Sequence, residues 1–202
     1  MNEWATYDDI MTAFTKAHDY GFISARNTAV RRKLKRQHDV LHRVNTMIDK
    51  IPVIYWFQPD PPHITILPLA GKQGESYAVR TVDKNRLIVI HAHAIDRFKE
   101  RTAYTGTDDD ALRSIIINLM FSAPVSDSDT SYIGYHGGLF LCNMANGVLH
   151  ARTFITYEQC HTNQKLWLSK SENERVKLLE DIANQLKQEI NGSGRNARRA
   201  AT

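Results

Sequence analysis

The amino-acid sequence predicts an α+β fold with a mostly antiparallel sheet, an N-terminal helical pair, two inserted helices and a C-terminal helix. Three observations lead to this prediction. Apolar residues recur at helical spacing at both ends of the chain, and short runs rich in β-branched and aromatic residues fill the middle. Two further helical segments interrupt those runs after Ile90.

The N-terminal region predicts two helices. Residues 7–18 place apolar side chains on one helical face, and Gly21 follows where a left-handed helix stop is favourable. A second helix is predicted over residues 25–50, ended by Pro52. Its outer face is densely basic and has few compensating acids, which is typical of a surface that binds a nucleic-acid backbone. The nucleic-acid-binding candidates on that face are Arg31, Arg32, Lys35, Arg36 and Arg43.

After Pro52 the apolar pattern changes to that of strands. The predicted strands cover residues 53–57, 64–67, 77–82, 87–90, 132–135, 139–144 and 148–155. Residues 83–85 are predicted to close a hairpin, and Asn146-Gly147 is a strong hairpin signal. The inserted helices are predicted over residues 92–102 and 108–121, and the last helix over residues 171–190, where Glu174 would complete a capping box with Ser171.

The length of 202 residues and the hydrophobic share of 42% predict one main domain. We expect it to span residues 1–190, with a helical extension (1–52), a sheet-centred core (53–160) and a C-terminal helix (161–190). The small, polar and basic residues 191–202 are expected to be a disordered tail.

Several classes of protein are disfavoured by the sequence. No long apolar run and no basic-then-apolar start is present, so we expect no membrane partner and a cytoplasmic location. Cys142 and Cys160 stand far apart without the paired Cys or His of a zinc site, and we expect free thiols. No glycine-rich phosphate loop occurs, and we expect no cofactor and no bound metal.

The candidate chemistry lies where the strand at residues 87–90 gives way to a helix. Two histidines, His91 and His93, stand at that junction. Four polar residues share one face of the helix, because the last three lie four, seven and eight positions after the first. These residues are His93, Arg97, Glu100 and Arg101.

Such a face fits an anionic phosphate, since arginine presents a planar fork to phosphate oxygens and histidine exchanges a proton near neutrality. Metal-independent RNA cleavage needs a base for the 2′-hydroxyl, a cation for the phosphorane and an acid for the leaving 5′-oxygen. We expect His93 to serve as general base or acid, Arg97 and Arg101 as phosphate ligands, and Glu100 to orient them. Further catalytic candidates are His91 and His150. A purely structural alternative is a surface salt-bridge ladder along the helix.

The string His93-Ala94-x-x-Arg97-Phe98-x-Glu100-Arg101 resembles the His-Ala-x-x-Arg-Phe/Met-x-Glu-Arg helix of toxin domains in the RelE-like, barnase-related group. The resemblance covers residues 87–159 and implies a strand, this helix and a second helix before a curled antiparallel sheet. Members of the group often act on RNA, which implies RNA as a partner and the ribosome or an antitoxin as candidate partners. Their catalytic residues differ widely, so only the helix positions carry over. About eighty residues precede the match, more than a minimal toxin carries.

Three alternatives remain open. His91-x-His93 with a distant histidine can bind a divalent metal. His63-Ile64-Thr65-Ile66 fits one motif of the two-histidine phosphodiesterases, but a second copy is lacking, since residues 150–153 contain one residue too many. The third alternative is a noncatalytic nucleic-acid-binding or partner-binding protein of a mobile element or phage, in which the basic helix carries the function.

Overall fold

The computed structural model describes residues 4–26, 42–59, 62–82, 86–127 and 130–199 of the chain. Within helices and strands, only the backbone is described for residues 20–26, 42–44, 57–59, 62–64, 127 and 189–199. This part of the chain contains four helices and ten strands in two sheets, so the predicted α+β class is confirmed.

The helices are α1 (Tyr7–Arg26), α2 (Ala92–Arg101), α3 (Asp108–Met120) and α4 (Thr162–Arg199). The strands are β1 (His42–Ile48), β2 (Ile51–Pro59), β3 (Pro62–Pro68), β4 (Gly71–Gln73), β5 (Ser76–Arg80), β6 (Leu87–Ile90), β7 (Val125–Asp127), β8 (Thr130–Tyr135), β9 (Gly138–Ala145) and β10 (Val148–Thr156). The two inserted helices and the C-terminal helix are therefore confirmed.

The larger sheet has seven strands in the order β4-β5-β6-β10-β9-β8-β7, and the smaller sheet has the order β1-β2-β3. Every pairing described in the larger sheet is antiparallel except that between β6 and β10. The last strand of the chain thus lies beside β6 at the centre of the sheet. The helices α2 and α3 lie between these two strands in sequence.

The main core lies between one face of the larger sheet and the helices α2 and α3, with side chains of the smaller sheet joining it. Phe98 of α2 is fully buried there, and its ring centroid lies 5.2 Å from that of Phe154 and 5.4 Å from that of Tyr135. On the opposite face of the larger sheet, Leu87 and Val89 pack with the N-terminal end of the chain. Residues 88 and 90 therefore anchor the sheet to the helices, while their neighbours face the N-terminal segment.

Two tight hairpins order the late strands. Asn146 and Gly147 have φ values of 51° and 75°, as a two-residue turn with both central residues left-handed requires. His136 and Gly137, with φ values of 50° and 66°, form the corresponding turn between β8 and β9. The predicted hairpin at Asn146-Gly147 is confirmed, whereas residues 83–85 lie outside the described residues.

The predicted second N-terminal helix, over residues 25–50, is wrong for residues 42–50, which form a strand and a turn. Helix α1 continues past Gly21 to Arg26, and His42–Ile48 forms strand β1. The residues between them lie outside the described residues. Val44 and Ile48 are four positions apart, a spacing that fits one face of a helix and one face of a strand alike. Pairing with β2 through a turn at Asp49 and Lys50, both at positive φ, decides in favour of the strand.

Helix α4 is longer than predicted at both ends. It begins at Thr162, and Ser171, expected to cap its start, lies inside it. The Ser171 hydroxyl donates to the Ala123 carbonyl at 3.0 Å and accepts from the Gly134 amide at 2.9 Å, so it joins the helix to the sheet. The backbone of residues 191–199, which were expected to belong to a disordered tail, continues the helix.

A membrane-spanning helix would have to be long and apolar. None of the helices in the described ranges meets that requirement.

Candidate functional site

Two histidines from neighbouring strands meet on the larger sheet. The Nε2 atom of His91 lies 3.1 Å from the Nδ1 atom of His150, within hydrogen-bond distance. Their rings are stacked, with centroids 5.4 Å apart and planes inclined by 26°. One ring must supply the proton and the other the lone pair, so the contact holds one shared proton when both rings are neutral. We refer to these two residues as the histidine pair.

The topology of the sheet creates this pair. His91 follows the last residue of β6, and His150 lies in β10, which runs parallel to β6 with Val89 opposite His150. The His91 amide donates to the Ala151 carbonyl at 3.2 Å, which extends the ladder by one residue. His91 is also the N-cap of α2, but its side chain makes no capping hydrogen bond. Its imidazole is therefore free to contact His150.

Arg152 lies beside the histidine pair at an irregularity in β10. The register with β9 shifts between Ala151 and Thr153, which leaves Arg152 without a Cα partner. This is a β-bulge, a feature that re-aims a side chain and is common beside functional sites. The Arg152 side chain is exposed. The extra residue also explains why residues 150–153 do not match a two-histidine phosphodiesterase motif.

Burial and charge both favour the neutral form of the histidine pair. Burial lowers the pKa of His91 from its ordinary value of 6.5, and the charges of Arg152 and His150 lower it further. Burial also lowers the pKa of His150, again with the charge of Arg152 as a second cause. Both rings are partly buried, so they remain in reach of solvent. Near neutral pH the pair can accept a proton at one ring and release one from the other.

The motif helix brings three of its four predicted residues together. The Nε atom of Arg97 donates to Nε2 of His93 at 3.4 Å, and its Nη1 donates to Oε2 of Glu100 at 2.5 Å. His93 and Glu100 are exposed. Arg97 is thus held between a ring nitrogen and a carboxylate on the outside of α2.

Arg101 is engaged elsewhere. Its Nη1 donates a hydrogen bond to the main-chain oxygen of Phe154 in β10. Phe154 is buried in the main core, and Arg101 itself is partly buried. This arginine therefore links the last turn of α2 to the strand that carries His150.

The other candidate residues lie apart from the histidine pair or outside the described residues. Arg31, Arg32, Lys35 and Arg36 lie outside them, and Arg43 lies in β1, opposite Trp56, instead of on a helix. Among the described residues, no group of three or more His, Cys, Asp or Glu side chains could hold a metal ion.

Sequence reasoning missed Arg152 and Asn143 as neighbours of the site. Asn143 of β9 lies opposite His150 in the register and is exposed. Neither residue belongs to a recognisable motif. No sequence pattern indicated Arg152, because the bulge that places it appears only in the pairing of β10 with β9.

Comparison of the chain with protein-family models, with curated proteins and with solved structures finds no match in any of the three. The chemistry of the site is therefore argued from its own residues.

Proposed function

We propose that the protein is a metal-independent ribonuclease that cleaves RNA by attack of the 2′-hydroxyl on the adjacent phosphate. The observation that carries this proposal is the 3.1 Å contact between His91 and His150 beside the guanidinium of Arg152. Two neutral imidazoles and one fixed cation are the groups that this reaction needs.

The pair moves protons as a relay. The outer nitrogen of one ring takes the proton of the 2′-hydroxyl, and the shared proton passes from that ring to the second. The outer nitrogen of the second ring then protonates the leaving 5′-oxygen. The 2′-oxygen–phosphorus bond forms as the phosphorus–5′-oxygen bond breaks, which leaves a 2′,3′-cyclic phosphate and a 5′-hydroxyl. Both rings end in the other tautomer, and exchange with water restores them.

Positive charge around the pair favours a phosphate. Arg152 is exposed beside both rings, and its fork matches two phosphate oxygens. Helix α2 begins at Ala92, directly after His91, so the positive end of its dipole adjoins the pair. These groups can stabilise the negative charge that develops on the phosphorane.

The outer face of α2 is assigned to RNA binding. Arg97 keeps its positive charge while His93 and Glu100 hold its orientation. A phosphate next to the scissile one can exchange for Glu100 on this guanidinium. Arg101 is left out of this role because it binds the Phe154 carbonyl. The basic residues Arg31, Arg32, Lys35, Arg36 and Arg43 are proposed to add a salt-dependent contribution to RNA affinity.

The resemblance of the α2 motif to RelE-like, barnase-related toxin domains supports RNA as the substrate class. The ribosome is accordingly a proposed partner, and an antitoxin is a second one. A ribosome-dependent enzyme leaves free RNA intact, so the assay below includes programmed ribosomes as a second substrate.

The test incubates the purified protein with a labelled oligoribonucleotide, with total RNA and with ribosomes, all in excess chelator. His150→Asn should abolish cleavage, and His161→Asn, the same substitution at an exposed histidine before α4, should leave it unchanged. The wild-type products should carry 2′,3′-cyclic phosphate ends.

Loss of cleavage in His93→Asn with full retention in His150→Asn would move the reaction centre to the outer face of α2. If wild-type protein cleaves neither RNA nor ribosomal substrate, the ribonuclease proposal fails and a noncatalytic binding protein takes its place. In that case, filter binding at increasing salt would measure how many phosphates the protein contacts.

A further inference from the structure

The face of the larger sheet that points away from the main core is covered on one side of the histidine pair and open on the other. Val89 is buried on this outer face, against the N-terminal segment. His150 lies opposite Val89 on β10, Asn143 comes next on β9, and Thr130 on β8 completes the row. Directly opposite residues point to the same side of a sheet, so these side chains share the outer face. His150 is partly buried and Asn143 is exposed, so the outer face opens beside the histidine pair.

Asn143 presents both a donor and an acceptor on this open face. Neither its amide nor the guanidinium of Arg152 forms a hydrogen bond or an ion pair with another of the described residues. A side-chain amide is complementary to the edge of a nucleic-acid base, which presents a donor and an acceptor side by side. The Cβ atoms of directly opposite residues lie about 5 Å apart. A nucleotide whose phosphate lies at His150 can therefore reach Asn143 with its base.

An aromatic stack borders the open face beyond Asn143. Strands β8 and β9 pair without a register shift, so Tyr132 is a diagonal neighbour of Asn143 on the same face, about 7–8 Å away. The ring of Tyr132 is stacked with that of Trp167 in α4, with centroids 5.8 Å apart and planes inclined by 9°. The Nζ atom of Lys170 lies 5.0 Å from the centroid of the Trp167 ring. Both rings are only partly buried, and aromatic surface beside a cation is typical of sites that bind unpaired bases.

We propose that the outer face between the histidine pair and the Tyr132–Trp167 stack is a subsite for a base of single-stranded RNA. Asn143 bonds the edge of the base beside the scissile phosphate, and the aromatic stack holds a neighbouring base. The subsite rests on the proposed ribonuclease activity, which supplies RNA as the ligand. Double-stranded RNA is excluded as the substrate class, because its bases are paired with each other and cannot lie on the sheet.

Fluorescence anisotropy with labelled 2′-O-methyl oligonucleotides tests the role of Asn143. Four oligonucleotides are compared, each with three identical bases at its centre and abasic positions elsewhere. Wild-type protein should bind one of the four about tenfold more tightly than the others, and Asn143→Ala should remove this preference. Asn45→Ala, the same change at an exposed asparagine of β1, should retain it. Equal wild-type affinity for all four bases, or a preference that survives Asn143→Ala, would overturn the proposal.

The aromatic stack is tested with the same oligonucleotides. Trp167→Leu should weaken the binding of the preferred oligonucleotide about tenfold, because a stacked base loses its platform. Tyr157→Leu is the matched control, since Lys165 lies 4.5 Å from the centroid of the Tyr157 ring but this pair lies past the end of β10. The control should bind as tightly as wild type, and circular dichroism should show that both variants are folded. Unchanged affinity in folded Trp167→Leu would overturn the subsite.

These measurements separate the subsite from the catalytic proposal. The 2′-O-methyl oligonucleotides have no free 2′-hydroxyl, so they report binding without cleavage. A base preference that depends on Asn143, in a protein that cleaves no RNA, would support the subsite and remove only the ribonuclease activity. Cleavage that is equally fast at every base, with equal binding of the four oligonucleotides, would leave the ribonuclease activity in place and overturn the subsite.

Discussion

Arg101 donates a hydrogen bond from its guanidinium to the main-chain oxygen of Phe154, which joins the end of α2 to β10. His91 stands at the start of α2 and His150 lies in β10. The bond therefore helps to hold the two elements that carry the histidine pair in one relative position. A motif arginine that the sequence indicated as a phosphate ligand serves here as a structural link.

Replacement of Arg101 should therefore cost stability. Arg101→Met keeps most of the aliphatic length but leaves the Phe154 carbonyl without this donor, so we expect a loss of about 1–2 kcal/mol in the free energy of unfolding. Arg97→Met, which breaks an exposed pair with Glu100, should cost no more than about 0.5 kcal/mol. Urea denaturation of both variants measures the difference. Equal losses would mean that the Arg101 bond contributes no more than a surface ion pair.

The histidine pair should make stability fall in mild acid. Since the folded pKa values of His91 and His150 lie below the ordinary value of 6.5, the unfolded chain binds more protons as the pH falls below that value. The stability that comes from the neutral pair is complete above about pH 6.5. It is lost as the pH falls through the lowered folded values.

This pH dependence is tested by comparing the wild-type protein with a double variant that carries both His91→Asn and His150→Asn. The double variant should lose less stability than wild type between neutral and mildly acidic pH, as measured by urea midpoints in matched buffers. Above neutral pH the two curves should run parallel, because neither histidine titrates there. An unchanged acid slope in the double variant would show that other groups cause it.

Arg152 should affect the titration of the pair and, under the ribonuclease proposal, the rate of RNA cleavage. Its charge lowers the pKa of His91 and of His150, so Arg152→Gln should raise both, as followed by NMR titration of the ring protons. If Arg152 also stabilises the phosphorane, kcat should fall by about two to three orders of magnitude, with a smaller change in KM. Normal kcat with raised pKa values would restrict Arg152 to an electrostatic effect on the two histidines in the free protein.

Much of the fold could be predicted from local patterns. The strands from β8 to β10 and the hairpin at Asn146-Gly147 follow from alternation and turn chemistry, which act over a few residues. The incorrect prediction of a helix at β1 arises from long-range pairing instead of local pattern. Val44 and Ile48 fit either period, and the pairing of β1 with β2 makes the decision through contacts that a helical pattern does not encode.

The candidate site could be predicted only in part. The sequence places His91 and His93 at a strand-to-helix junction, but His150 follows 59 positions after His91. Their contact depends on β10 lying parallel to β6, a choice made by the whole sheet. Arg152 depends on a bulge, which a strand pattern does not fix. The local sequence therefore indicated the segment that carries His91. The strand order of the sheet and the bulge in β10 determine that His150 and Arg152 lie beside it.

Gly138 provides a test of the packing between β9 and the end of β10, where it lies opposite Thr156. A Cβ atom at this position would lie 2.5 Å from the Ile155 main-chain oxygen and would collide with the Phe154 ring, and neither backbone nor a buried ring can move away cheaply. Gly138→Ala should therefore destabilise the protein by about 1–3 kcal/mol. Gly74→Asn is the control, because Gly74 has a φ of 57° that Asn tolerates and a Cβ there meets nothing within 4 Å. Its cost should stay below about 1 kcal/mol.

Thermal unfolding of the two variants measures the difference between these two costs. Equal melting temperatures would mean that β9 and β10 can separate at this point. Because Phe154 also accepts the bond from Arg101, such a separation would loosen the strand that carries His150.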